Sequence, residues 1–149
     1  MPSFFNAMQS INVPVDKIKL ARAQKTFVDI SLSFEPNPIT NDITVLVNER
    51  AINAAIKNLI MIAPSEVPFN RDIGSHTRHY LFDIIDESTA EMLRTEIKRS
   101  ISYGEPRAKI KELKVEPRYD RNEFMVSLWY QIIGFDQVFF VYYILAPTR

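Results

Sequence analysis

Two histidines three residues apart, His76 and His79, could hold two corners of a metal site if one helix face carried both, with Asp72 and Asp83 as nearby carboxylates. The spacing is not that of H-E-x-x-H, and the segment reads as a loop running into a short helix. The pair is therefore read as surface or interface histidines, and neither a metal nor a cofactor is expected. Asp83, Asp86 and Glu87 offer carboxylates for glycoside chemistry, which needs two carboxyls across a cleft with one kept protonated by an apolar pocket. Asp86 and Glu87 are better explained as charges at a helix N-terminus. No serine sits in a G-x-S-x-G elbow. The glycines, Gly74, Gly104 and Gly134, are too scattered to cradle a phosphate. No catalytic residue is expected.

A different constellation stands out. The tripeptide Glu-Pro-Arg occurs twice, as Glu105-Pro106-Arg107 and Glu116-Pro117-Arg118. The first follows a strong helix pattern and precedes a strand. Pro106 fixes its own φ and pushes the preceding residue extended, so Glu105 and Arg107 should leave a stiff backbone in defined directions. Arg107 can form a bidentate pair with a carboxylate or donate to carbonyls at a helix end. On the surface such a pair contributes roughly 0–1 kcal/mol; in a partly buried corner, stranding either charge costs several. The second copy falls where a strand ends in a turn.

The elements that position these residues follow from periodicity. Phe27–Phe34 alternates, with Val28, Ile30, Leu32 and Phe34 of one parity, as in a half-buried strand. Ile43–Val47 is a second, shorter strand. Asn48 can cap a helix carrying Ile52, Ile56 and Leu59 and ended by Pro64. A short helix is expected to include Tyr80–Ile84. The strongest helix spans about Thr89–Tyr103, with Ser88 and Glu91 as a capping box, Leu93, Ile97 and Ile101 as its buried stripe, and Gly104 as a left-handed closing residue. Three strands complete the chain: Lys111–Glu116, Glu123–Ile133 and Gln137–Leu145. Their short connections imply an antiparallel meander. Val138–Leu145 is apolar throughout, which implies cover on both faces, as in a central strand between helices; the sharper alternative is a surface completed by a partner.

Composition narrows the class. With 149 residues and 46% hydrophobic content the chain is a single small domain with a packed core. Eighteen basic and 18 acidic residues cancel, which argues against a nucleic-acid binder. Lys and Arg are also absent from Asn122 to Thr148, where Trp129, Tyr130, Phe135, Phe139, Phe140, Tyr142 and Tyr143 cluster, so these aromatics suit a core or a protein interface better than base stacking. Without cysteine there are no disulfides or thiolate metal sites. Val138–Ala146, the longest apolar run, is about half a membrane helix, and Met1–Ser10 lacks the features of a secretory signal. The expectation is a soluble, non-secreted protein without a membrane partner.

Several stretches stand in one order: SFEPNPITNDITVL (Ser33–Leu46) before the helix Arg50–Leu59, PFNRDIGS (Pro68–Ser75), LFDIIDESTAEMLRTEI (Leu81–Ile97), GEPR (Gly104–Arg107) and a final three-strand region. The chain in this respect resembles the baseplate-wedge, sheath-initiator family of contractile phage tails, whose relatives occur in type VI secretion baseplates. The resemblance covers about Phe27–Leu145. It implies an α+β domain, with helices packed on a mixed or antiparallel sheet over residues 27–149, and leaves residues 1–26 as an N-terminal extension in which Phe4 and Phe5 could anchor a neighbour. It implies a structural, non-enzymatic subunit of a six-fold symmetric virion baseplate, assembled in the host cytoplasm. Glu105, Pro106 and Arg107 would contact the wedge core bundle. Tail sheath subunits would add strands to the sheet by β-augmentation as the first sheath ring forms. Tail tube or hub proteins are further candidate partners. No family role passes to Glu116, Pro117 or Arg118. The alternatives are an equivalent subunit of a type VI secretion or extracellular contractile injection machine, and a peptidoglycan hydrolase, in keeping with the lysozyme-like label some relatives carry, which would have to use Asp83 or Glu87.

Overall fold

The computed structural model describes residues 26–147. The expected extension over residues 1–26, with Phe4 and Phe5, lies outside the described residues apart from Thr26. Among the described residues the fold is α+β, with three α-helices and two antiparallel sheets and no parallel pairing, so the expected class holds.

Strands β1 (Val28–Ile30) and β2 (Val45–Val47) form a hairpin with Val28 opposite Val47 and Ile30 opposite Val45. The expected strand Phe27–Phe34 is thus cut short. The Ser31 hydroxyl contacts the Ser33 hydroxyl at 2.9 Å, and Phe34 turns left-handed at φ 53°. Such local side-chain bonds compete with a ladder. The facing is also the reverse of that expected: Val28, Ile30, Leu32 and Phe34 are exposed, while Phe27 is buried. Phe27 fixes this orientation, because its N–H donates to Asn48 Oδ1 at 3.0 Å and its carbonyl accepts from the Asn48 N–H at 2.8 Å. Asn48 therefore precedes helix α1 (Glu49–Met61) without capping it; its side chain is spent on β1. Ala51, Ile52, Ile56, Leu59 and Ile60 form the buried stripe of α1.

Helix α2 (Thr77–Leu81) starts three residues before the expected element and stops before Phe82. The Ser75 hydroxyl accepts from the Thr77 N–H at 3.1 Å and starts the turn, while Asp83 Oδ1 takes the Ile84 N–H at 2.8 Å and prevents its continuation. Helix α3 (Glu87–Gly104) is capped by Asp86, whose Oδ1 accepts from the Thr89 N–H at 2.6 Å. The expected Ser88–Glu91 box does not form; Glu91 instead pairs with Arg94 one turn on. Gly104 is not left-handed but ends the helix in helical conformation; its lack of a side chain answers a close approach instead, since a Cβ there would collide with the Leu59 side chain of α1.

The main sheet has the order β3-β4-β5, comprising β3 (Ala108–Arg118), β4 (Glu123–Ile132) and β5 (Val138–Leu145). This is the expected meander, with β3 longer than Lys111–Glu116 and a bulge at Lys111. Helix α3 packs on β3 and α1 packs on α3. Phe124, Val126, Leu128, Tyr130 and Ile132 of β4 are fully buried against Leu93, Ile97 and Ile101 and the stripe of α1. Among the described residues β5 is an edge strand, not the central strand its run of apolar residues implied. Its burial alternates: Phe139, Val141, Tyr143 and Leu145 turn inward, whereas Val138, Phe140, Tyr142 and Ile144 are about half exposed or more.

Candidate functional site

The end of α3 carries the first Glu-Pro-Arg. Glu105 closes the helix in a non-helical conformation (φ −129°), its N–H still donating to the Ile101 carbonyl at 2.8 Å. Its carboxylate is buried, with the residue 3% exposed. Arg107 Nε donates to Glu105 Oε1 and Arg107 Nη2 to Oε2, each at 2.6 Å, and the Arg107 backbone N–H adds a bond to Oε1 at 3.2 Å. The proline thus folds the two charged side chains onto each other rather than holding them apart. Arg107 Nη2 also reaches Asp29 Oδ2 of β1 at 3.2 Å, and the guanidinium lies 5.5 Å over the Phe27 ring. The doubled bond to Glu105 holds the Arg107 guanidinium pKa well above its usual value. The corner is a clasp fastening the β1–β2 hairpin to the α3–β3 junction. The Arg107 side chain keeps 29% of its surface, its Nη1 makes no hydrogen bond among the described residues, and Pro106 beside it is exposed. Asp29, 78 positions earlier in the chain, carried no sequence signal.

The second copy lies at the end of β3, with Glu116, Pro117 and Arg118 opposite Met125, Phe124 and Glu123. Proline is tolerated there because β3 is an edge strand. Arg118 pairs with Glu123 at 3.2 Å, and a 3₁₀ turn (Tyr119–Arg121) follows. The two tripeptides share no partner.

The candidates for metal and hydrolytic chemistry are dispersed. The His76 N–H donates to Glu96 Oε1 at 3.0 Å, while the His79 ring sits edge-on to Tyr80. Among the described residues, no group of three or more metal-ligating side chains could hold an ion. Asp83 and Glu87 are exposed, without the apolar pocket an acid catalyst needs.

The two outer edges of the main sheet differ. Strand β3 carries Lys109, Lys111, Glu112, Lys114 and Glu116, a bulge at Lys111, and Pro117. These are the features by which proteins block further pairing. Strand β5 carries no charge, proline, glycine or bulge. Its outer face continues an aromatic row, with Trp129 and Phe140 rings 4.8 Å apart and Phe140 stacked on Tyr142. On the inner side α1 runs beside it: the Tyr143 hydroxyl donates to the Asn53 carbonyl at 3.2 Å and the Tyr130 hydroxyl to Asn53 Oδ1 at 2.6 Å. Burial pushes the Tyr143 phenol up to about 12. Between α1 and β5 lies a groove of about 340 Å³ lined by Lys57, Ile60, Met61, Tyr142, Tyr143, Ile144 and Leu145. The sequence marked β5 as unusual but gave no sign of Asn53 as the polar link between β4, β5 and α1.

Among the described residues the fold is a small α+β domain whose three-stranded sheet has β3 and β5 as its outer strands. Residues 47–134 match the family described as Baseplate wedge protein gp25, and the chain belongs to that family. No curated protein matches the chain. Among solved structures it is similar to a Geobacter sulfurreducens protein provisionally described as a tail lysozyme, at 20% identity and TM-score 0.63, over 71% of this chain and 97% of that one. It is also similar to a chain of the anti-feeding prophage baseplate, at 15% identity and TM-score 0.57, over 83% of this chain and 88% of that one. A chain of the postcontracted pyocin R2 baseplate follows, at 12% identity and TM-score 0.50, over 80% of this chain and 98% of that one. At these identities the likeness is one of fold.

Proposed function

We propose that this chain is a structural, non-enzymatic subunit of a contractile-tail baseplate that offers β5 as a pairing edge to a strand of the tail sheath and so templates the first sheath ring. The asymmetry of the two sheet edges carries this proposal: β3 is charged, bulged and closed by a proline, while β5 is apolar and regular. An added strand would gain backbone hydrogen bonds from β5 and cover the apolar side chains of its outer face. The Glu105-Pro106-Arg107 corner is proposed as the contact with the wedge core bundle, supported by the exposed Pro106 and the Arg107 Nη1 still available for a partner carbonyl or carboxylate. Such a subunit belongs to the baseplate of a virion or a virion-like particle, with neither nucleic acid nor membrane as its partner.

The test is to place β3-like charges on β5. Phe140→Lys with Tyr142→Lys alters only side chains on the exposed face, so the fold should persist. Reconstituted baseplates carrying this variant should form, while sheath assembly on them, followed by electron microscopy, should fail. Sheaths of normal number and length would refute the role given to β5.

A further inference from the structure

We infer that the groove between α1 and β5 selects an incoming strand bearing an acidic side chain opposite Lys57; this builds on the proposal that β5 is a pairing edge. Asn53, Lys57 and Met61 recur at i, i+4 spacing, and the Tyr143–Asn53 hydrogen bond places this stripe of α1 along the open side of β5. A strand pairing with β5 would lie about 4.8 Å from it, and every second side chain would turn into the groove toward α1. Most of the lining there is apolar: Ile60, Met61, Ile144, Leu145 and the faces of Tyr142 and Tyr143. Lys57 is the one charged residue of the lining, it is exposed, and it makes no hydrogen bond or ion pair among the described residues. A strand laid over the groove removes water from the Lys57 ammonium, which then needs an opposite charge. A carboxylate satisfies it, whereas a second cation is repelled. Apolar groove-facing positions interrupted by one Asp or Glu are therefore the pattern this surface fits, and the positive helix flank sets the register of the incoming strand.

The probes are two capped eight-residue peptides of alternating valine and threonine, one with a central valine replaced by glutamate and the other by lysine. Binding to the full chain is measured by titration, and pairing by hydrogen-exchange protection of the β5 amides. The glutamate peptide should protect β5 and bind about fivefold more tightly than the lysine peptide. In Lys57→Glu the order should reverse, and in Lys57→Met the two should be equal. If both peptides protect β5 equally and Lys57→Glu changes nothing, the inference about Lys57 is overturned while β5 stands as a pairing edge. If neither protects β5, the pairing edge itself is refuted and the inference falls with it.

Discussion

Replacing Arg107 by alanine should destabilise the isolated chain far more than a surface ion pair would allow. Glu105 is buried and takes two charge-assisted bonds at 2.6 Å from the Arg107 side chain; without them its carboxylate keeps only the backbone N–H at 3.2 Å. Breaking a buried pair from one side costs about 3–5 kcal/mol. The 29% exposure of the Arg107 side chain places this case at the lower end, at about 3 kcal/mol. Loss of the cation over Phe27 adds about 0.5–1 kcal/mol. With a urea m-value of about 2 kcal/mol/M for a chain of this size, the midpoint should fall by roughly 1.5–2 M. Circular dichroism through a urea titration measures this. Glu105→Gln in the same chain removes the stranded charge, so Glu105→Gln/Arg107→Ala should be more stable than Arg107→Ala alone. A loss below about 1 kcal/mol, or a double variant weaker than the single, would refute the description of the corner as a buried clasp. The double variant also separates fold from contact: a folded chain without the guanidinium should enter wedges poorly if Arg107 binds the core bundle, and normally if its work is wholly internal.

Two further outcomes follow from α3. Alanine in place of a helical glycine is worth about 1 kcal/mol, but a Cβ at Gly104 would crowd Leu59, which is only 7% exposed; overpacking of about 1–3 kcal/mol should dominate, so Gly104→Ala should lower the melting temperature, and the loss should vanish when Leu59 is also alanine. The Thr89 N–H holds the Asp86 carboxyl below its usual 3.8, and Arg99 holds Glu96 below 4.5; both folded pKa values are depressed, so their stabilisation is fully present above these unfolded values, starts to fall as pH drops below them and is lost as pH passes through the lower folded values. Asp86→Asn keeps a capping oxygen without the titration, so its melting temperature should fall less than that of the parent between about pH 6 and about pH 3.

Much of the fold was legible where local pattern and burial agree. The stripe Leu93, Ile97 and Ile101, the alternating residues of β4, and the meander all follow from periodicity, because each element buries one face in the chain's own core. Caps were less legible, since Asp86, Ser88 and Glu91 all offer suitable oxygens and only the backbone geometry selects Asp86. The corner was legible as a location but not as a device. Its position after α3 followed from the sequence, whereas its burial depends on Asp29 and Phe27, brought in by a hairpin whose facing the pattern misassigned. Asn48 decided that facing through a contact 21 positions away.

The two apolar patterns that misled have a common physical origin. Val28 and Ile30 in β1, and Phe140, Tyr142 and Ile144 in β5, were read as core-facing or fully covered, and the chain leaves all of them exposed. A pattern rule assumes that apolar side chains are buried by the molecule that carries them; in an assembly subunit a second chain can do that work. The edges of the main sheet then constrain what that chain can be. Copies of this protein stacked head to tail would have to pair β5 of one with β3 of the next, and the bulge at Lys111, Pro117 and the alternating Lys and Glu of β3 oppose that contact. Open-ended growth from copies of this chain alone is thereby disfavoured. A strand from a different chain meets none of these obstacles at β5, which is the condition the proposed templating role requires.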